Sequence, residues 1–435
     1  MKGNNKDKKN CKDGNSLKEL GLYIHIPFCV KKCAYCDFLS APASEATKKR
    51  YMDSLMTEIR SYSGKADEYL VQTIFIGGGT PSSLDTGYIE EMMRTLKQVF
   101  RIKGINDGAE NMEETAEISI EVNPGTLNKE KLEGYLRAGI NRLSFGLQST
   151  DNEELKLLGR IHTYEQFEEN FLLAREVGFP NINIDLMSAL PGQTVKAWEA
   201  TLEKVVLLKP EHISAYSLII EEGTPFYARY EGKPEAVEDK ELLPGEETDR
   251  LIYVRTKEIL EANDYCRYEI SNYAKEGFQC KHNTSYWIGT EYLGLGLGAS
   301  SLIDNARFHN LSDLEEYSSL CEQDRKDDSI DRKRSIDKNK KNGIIDDSIG
   351  LRRDIERLTE SGQMEEFMFL GLRMCQGVNK EAFKQRFTKS IETIYGVVIN
   401  KLIKEELLAA EGDRLYLTDY GIDVSNIVLA RFLLE

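Results

Sequence analysis

Residues 22–38 read LYIHIPFCVKKCAYCDF. A short apolar run at 22–26 leads directly into three cysteines, Cys29, Cys33 and Cys36, and then into Asp37 and Phe38 with no fourth thiol. The next cysteine is Cys266. A structural zinc site usually takes four ligands in two pairs, and no second Cys or His pair lies nearby. Cys33-Ala-Tyr-Cys36 has the spacing of a thioredoxin-like redox pair, which leaves Cys29 without a role. A [4Fe–4S] cluster held by three thiolates uses all three and leaves one iron open to an outside ligand. The C-x3-C-x2-C spacing fits the cluster best, with zinc and dithiol chemistry as the alternatives.

Outward from this stretch, five more β-rich runs follow: VQTIFIGG (71–78), AEISIEVN (116–123), NRLSFGLQ (141–148), INIDLMSA (182–189) and HISAYSLII (212–220). Helical spacing lies between them. In 45–61 the residues Met52, Leu55, Met56 and Ile59 make one apolar stripe, and 151–178 ends at Gly178. Strands that are apolar on both faces and alternate with helices predict a parallel α/β sheet. A full eight-fold barrel needs roughly 250 residues. Six repeats in about 200 residues predict a partial (β/α)6 TIM-type barrel, with an open doubly wound sheet as the fallback.

A chain of 435 residues predicts two to three domains. The net charge of −16 argues against nucleic acid as a main partner. Eight cysteines, five of them scattered, are no disulfide framework and suit a reducing cytoplasm with one metal site. No apolar run approaches the ~18 residues of a membrane span. The start, MKGNNKDKKNCKDGNSLKEL, has no apolar h-region, so a disordered lead-in is expected over 1–20 and not a secretory signal.

The remaining boundaries follow from pattern changes. The barrel is expected over 21–245 and a connecting region, rich in aromatics and glycine, over 246–322. A charged insertion, expected to be disordered, follows over 323–358, where 324–341 read DRKDDSIDRKRSIDKNKK. A small α+β domain is expected over 359–435. Its helical stretches (363–375, 380–388, 398–410) followed by RLYLTDYG (414–421) suggest a winged-helix-like unit with a structural or interaction role. Gly294-Leu-Gly296-Leu-Gly298-Ala299 fits G-x-G-x-x-A, but no βαβ unit surrounds it, so a tight wall near the barrel mouth is expected and not a nucleotide site.

C-x3-C-x2-C with an aromatic before the third cysteine resembles the radical S-adenosylmethionine (radical SAM) superfamily. The resemblance implies a partial barrel with the cluster on the loop after the first strand, at the barrel face that carries chemistry. It also implies that the open iron chelates the amino and carboxylate groups of SAM, whose reductive cleavage yields a 5′-deoxyadenosyl radical. On that resemblance Gly78, Gly79 and Thr80 of GGGTP hold the methionyl part, and Glu121, Gln148, Arg160 and Asp185 are further SAM contacts. Tyr23 and Tyr35 flank the cluster. Asp185 also stands out on physical grounds, because an acid inside the apolar run INIDLMSAL is costly unless paired or ligated.

YIHIPFC, FIGGGTP, EVNP, FGLQS, YEISNYA and LTDYG span nearly the whole chain and resemble the oxygen-independent coproporphyrinogen III oxidase family. The decarboxylating oxidases of that family carry one more cysteine two residues after the third, where this chain has Phe38, and a longer segment before the cluster, where this chain has 28 residues. The run from Cys29 to Phe38, together with His282-Asn283-Thr284-Ser285-Tyr286-Trp287, resembles instead the haem chaperone branch. That branch implies haem as ligand, with His282, Asn283, Tyr286 and Trp287 as candidate haem-binding residues. It implies acceptor haemoproteins such as respiratory enzymes at the membrane, and a homodimer. Haem takes a His, Cys, Met or Tyr axial ligand, so Cys280 is an alternative, as is a packed loop with no ligand role.

Overall fold

The computed structural model describes residues 17–104, 115–231, 242–331 and 343–434. At its centre six parallel strands lie side by side in chain order: β1 (Lys18–Ile26), β2 (Tyr69–Gly78), β3 (Glu117–Val122), β4 (Arg142–Gln148), β5 (Ile182–Ser188) and β6 (His212–Ser217). Helices connect them: α1 (Glu45–Ser61), α2 (Thr86–Val99), α3 (Lys129–Ala138), α4 (Asn152–Leu157) with α5 (Tyr164–Val177), and α6 (Val195–Leu207). Every residue of β4 is buried, as a strand covered on both faces requires. Met52, Leu55, Met56 and Ile59 of α1 are buried against the sheet in one core with Ile24, Ile74 and Ile120. Local chemistry sets the helix limits. Thr163 and Gln166 form a reciprocal cap at the start of α5, and Gly178 ends it with φ 110°.

The barrel is partial. β6 does not return to β1, so the cysteine loop opens onto a cleft and not onto a closed ring. After α7 (Pro225–Tyr230) and α8 (Glu246–Glu261), β7 (Cys266–Arg267) and β8 (Asn272–Ala274) extend the sheet antiparallel from β6. The chain then crosses through α9 (Lys281–Trp287) to the other edge. There β9 (Tyr292–Leu295) pairs parallel with β1, and β10 (Ser300–Ile303) and β11 (Ala306–Asn310) continue outward. Residues 246–322 therefore add strands on both sides of the six-strand sheet and are more than a connector. Gly296, at φ 95°, does form a tight wall: a Cβ there would meet the His25 carbonyl oxygen at 2.8 Å.

The expected charged insertion also differs. α10 (Leu314–Asp331), which packs on α1, runs into it, and β12 (Arg352–Arg357) pairs with β11. Residues 332–342 lie outside the described residues, as does the lead-in up to residue 16, and β1 starts at Lys18. The order around β12 has a physical cause that a charge count conceals. Arg352 is buried over the Phe308 ring, 4.2 Å from its centroid, and donates to the carbonyls of Ile344 and Ile345 and to the Tyr62 hydroxyl.

The C-terminal unit comprises α11 (Glu360–Gly371), β13 (Val378–Asn379), α12 (Lys380–Phe387), α13 (Ile391–Lys404), β14 (Leu408–Glu411), β15 (Arg414–Leu417), α14 (Asp419–Asp423) and α15 (Ser425–Ala430). Its three strands run β13-β15-β14. It has its own core, with Met368, Phe383, Tyr395, Leu415 and Phe432. It docks on the β7 edge, where Asp419 accepts from Lys257 and Arg267 at 2.7 Å and the Cys375 N–H donates to the Tyr268 carbonyl at 2.9 Å.

Candidate functional site

The loop after β1 is held at both ends. The Ala41 N–H donates to Pro27 O and the Cys29 N–H to Ala41 O. His25 ties it from below. The Tyr23 hydroxyl donates to His25 Nδ1 at 3.0 Å, so Nε2 carries the proton and donates to Leu39 O at 2.9 Å. This loop brings Cys29, Cys33 and Cys36 to one rim of a cavity of about 330 Å³ at the C-terminal ends of the strands. Among the described residues no group of three or more His, Cys, Asp or Glu side chains is gathered closely enough for a single ion.

The second strand closes on this loop by backbone contact. Gly79 N–H donates to Ile26 O, and Thr80 N–H to Phe28 O at 2.7 Å. A Cβ on Gly79 would meet Phe28 O at 2.6 Å and Cys29 Sγ at 3.0 Å. Gly78, at φ 112°, lies against the His25 ring, and its N–H donates to Glu121 Oε2 at 3.0 Å. Only glycine permits this approach of β2 to the cysteine loop.

Arg160 lies in the turn between α4 and α5. Its Nη1 donates to Cys33 Sγ at 3.6 Å, and its Nη2 to Asn123 Oδ1 at 2.6 Å and Gly146 O at 2.5 Å. Its Nε is buried without a partner. Asn123 passes the link on, donating from Nδ2 to Thr80 Oγ1, which donates to Cys29 Sγ at 3.6 Å. The cysteine rim is thus braced by side-chain hydrogen bonds to two of its three sulfurs, Cys33 and Cys29.

The opposite wall carries Gln148, Asp185 and Glu121. Gln148 adopts φ 74° at a register shift between β4 and β5, and its Oε1 accepts from Tyr216 Oη at 2.9 Å. Asp185 accepts from Ser144 at 3.1 Å and from Asn183 at 2.7 Å. Burial, and next the Asp185 charge, push the Glu121 carboxyl up to about 8, although the Gly78 N–H opposes the shift. Two desolvated carboxyls facing one cavity favour a positively charged occupant.

This raised carboxyl gives a test. Between 4.5 and about 8 the folded protein keeps a proton on Glu121 that the unfolded chain has released. Unfolding then sheds protons, so this group's contribution to stability falls as pH rises through that window and is flat below it. Glu121→Gln, which cannot ionise, is expected to lose that slope and to gain on the native protein above about 8. Urea midpoints measured across the window check it, and parallel curves for the two proteins would refute it.

Eleven of the residues singled out from the sequence line this one cavity: the three cysteines, Tyr35, Gly78, Gly79, Thr80, Glu121, Gln148, Arg160 and Asp185. Tyr23 does not. It lies beneath the loop, stacked on Phe75 at 6.5 Å and bonded to His25. Asn123, His162 and Tyr216 also line the cavity and were not singled out. Asn123 stands in the quoted EVNP, and His162 two residues after Arg160, which were the available signals. His162 is held near a pKa of about 3 by burial and by Arg160, and its Nε2–H donates to Leu147 O.

His282, Asn283, Tyr286 and Trp287 lie elsewhere, on α9. His282 is 1% exposed. Its Nδ1 shares a hydrogen bond with Thr73 Oγ1 at 2.8 Å and its Nε2 with Tyr286 Oη at 2.9 Å, and the ring stacks on Phe75 at 5.2 Å. Burial and Arg142 lower its pKa to about 3. Both nitrogens are used within the protein, so His282 offers neither to an outside ligand in this conformation. Cys280 is fully buried, with its thiol pushed up to about 12 by burial. Trp287 packs under Arg373 at 4.6 Å, with its Nε1 buried and unpartnered.

A chain of buried polar groups joins the two regions. Tyr268 Oη lies 2.8 Å from His212 Nε2, and His212 Nδ1 lies 2.6 Å from Asn183 Oδ1. Asn183 Nδ2 donates to Asp185. Because an amide oxygen only accepts, His212 carries its proton on Nδ1 and Tyr268 donates to Nε2. The Cys280 N–H donates to Tyr268 Oη at 3.3 Å.

Comparison with known proteins agrees with this geometry. Residues 23–205 match the Radical SAM superfamily model, and residues 358–424 match that of the HemN C-terminal domain. The chain is 34% identical to the heme chaperone HemW of Lactococcus lactis, over 96% of this chain and 98% of that protein. It is 34% identical to that of Bacillus subtilis, over 95% and 99%. Against the Escherichia coli HemW it is 39% identical over 65% of this chain and 70% of the relative. Among solved structures it is similar in fold to the radical SAM enzyme coproporphyrinogen III oxidase (HemN) of Escherichia coli, with a TM-score of 0.78, 22% identity, and coverage of 96% and 91%.

Proposed function

Because the chain belongs to the radical SAM superfamily and, within it, to the HemW family, we propose that it is a haem chaperone. In this reading it binds haem, carries a SAM-liganded [4Fe–4S] cluster, and delivers haem to acceptor haemoproteins. The observation that carries the reading is the near full-length similarity to proteins named heme chaperones.

The residues present fit the implied cofactors. Three thiols share one braced loop, Gly79 leaves room only for backbone beside Cys29, and two desolvated carboxyls await a cation. Cys29, Cys33 and Cys36 would hold the cluster. Gly78, Gly79, Thr80, Glu121, Gln148, Arg160 and Asp185 would hold SAM, with Tyr35 packed beside them. When bound, the cluster supplies the electron that cleaves the SAM sulfonium bond. The chain's own part is to fix the thiolates, match the cation with carboxylates and limit water at the cavity. The acceptors would include respiratory enzymes at the membrane, and the chaperone itself would act in the cytoplasm, as a homodimer. Among the described residues no helix is long and apolar enough to cross a membrane.

Coproporphyrinogen oxidation is the second reading. The fold likeness to HemN is common to both, and Phe38, which lines the cavity where the oxidases of the family have a further cysteine, favours the chaperone. The test is haem retention. Anaerobically reconstituted protein mixed with haem and desalted is expected to keep a Soret band at close to one haem per chain, and to consume no coproporphyrinogen III. Loss of all haem on desalting, with turnover of coproporphyrinogen, would reverse the order of the two readings.

A further inference from the structure

A second large cavity, of about 760 Å³, lies at the opposite end of the strands from the cysteines. Its floor includes Leu20 and Gly21 of β1 and Thr73 of β2. One wall is α9 and the residue that follows it, through Thr284, Ser285 and Ile288. Another is the β7 edge with Cys266. The C-terminal unit covers it with Met374, Cys375 and Gln376. It therefore sits between two domains, where ligand sites concentrate, and its size falls within the roughly 300–1,000 Å³ of sites for drug- and cofactor-sized ligands. The cysteine-rim cavity, at about 330 Å³, is less than half as large and already has the residues for SAM.

Its lining has a definite chemistry. Sulfur comes from Met374, Cys375 and Cys266, and a phenol from Tyr268. These types, with His, are the axial donors that haem iron takes. No histidine lines this cavity among the described residues, and His282 behind its wall has both nitrogens engaged. Three cations, Lys103, Lys281 and Arg267, line it as well, against one acid, Glu19, and Arg267 is paired with Asp419. On a chain of net charge −16 that local balance suits a dicarboxylate.

We propose that this cavity is the haem site, with sulfur from the Met374–Cys375 segment or Cys266 taking the iron and Lys103 and Lys281 taking the propionates. The proposal rests on the chaperone reading and gives it a location. It also reassigns the H-N-x-x-Y-W helix: α9 forms a wall of the site, and its histidine holds that wall to β2 instead of binding the iron.

The test uses the full chain and haemin. Peptide-resolved alkylation is run with and without one equivalent of haemin. Haem is expected to protect Cys266 and Cys375 about tenfold, the equivalent of ~1.4 kcal/mol. Lys103→Ser with Lys281→Ser, a pair of surface-tolerant changes, is expected to weaken haem retention by a similar factor with no change in the melting curve. Cys375→Ser, Cys266→Ser and Met374→Leu together are expected to change the ferrous–CO spectrum. If the native protein retains haem, yet neither thiol is protected and both variants match it, this location is wrong and the chaperone reading stands. If the native protein retains no haem, the chaperone reading fails and this inference fails with it.

Discussion

Cys29→Ser, Cys33→Ser and Cys36→Ser are each expected to leave anaerobically reconstituted protein without brown iron–sulfur absorbance and with iron close to background. The expectation follows from the ligand count. Three thiols share the loop and, among the described residues, no fourth stands in reserve, since Cys280 and Cys321 are fully buried elsewhere and Cys266 and Cys375 lie at the far end of the sheet. Losing a partner that only supports a metal ligand typically costs about 10–100-fold in affinity, and losing the ligand itself costs more. Arg160→Ala, which removes a donor to Cys33 but no ligand, is expected to fall within that smaller range. Serine preserves the loop, whose anchors are backbone bonds between Pro27, Cys29 and Ala41, so the loss reports ligation and not misfolding. Cys266→Ser is the control and is expected to keep the brown absorbance and its iron. Full colour and full iron in all three loop variants would mean that the thiols do not hold the cluster.

The largest stability effect is expected at Glu58. This acid in α1 is 1% exposed. It accepts from the Gly296 N–H at 2.8 Å, Asn310 Nδ2 at 2.6 Å and Tyr317 Oη at 2.6 Å. One carboxylate thereby joins α1, the turn after β9, β11 and α10. Glu58→Ala strands three buried donors, each costing ~1–3 kcal/mol when unpaired, so a loss of about 3 kcal/mol or more is expected in urea unfolding. Glu58→Gln is expected to cost less. Its single oxygen serves either Asn310 or the Gly296 and Tyr317 pair, and the Tyr317 hydroxyl can turn to accept from the new amide. A change within 0.5 kcal/mol for Glu58→Ala, the range of an ordinary surface substitution, would show that the network carries no such load.

The barrel and the gathering of the three cysteines at its rim were legible because they are local. Continuous apolar runs mark strands covered on both faces, and the cysteine spacing needs no partner from elsewhere in the chain. The edges of the sheet were not legible. β7, β8 and β9 have two to four residues each, too few for any period to show, and they exist because the six-strand sheet leaves two edges to satisfy. Arg352 reads as part of a charged tract until Phe308 and the two isoleucine carbonyls are placed around it. His282 reads as a free ligand until Thr73, 209 residues away, takes its Nδ1. Tyr23 reads as a neighbour of the cysteines by sequence, yet alternation along β1 turns it beneath the loop.

The buried chain from Cys280 to Asp185 has a sense of direction. Every donor in it faces the same way: backbone amide to phenol, phenol to imidazole, imidazole to side-chain amide, amide to carboxylate. Aligned bonds of this kind polarise one another, and each strengthens the next. The carboxyl end sits in the cysteine-rim cavity, and the phenol at the other end lines the large cavity beneath α9. A cation arriving beside Asp185 would draw down the charge that orders the string, and the pull on the Tyr268 hydroxyl would slacken without any strand moving. Four hydrogen bonds of one polarity thus run from the wall of one cavity to the wall of the other.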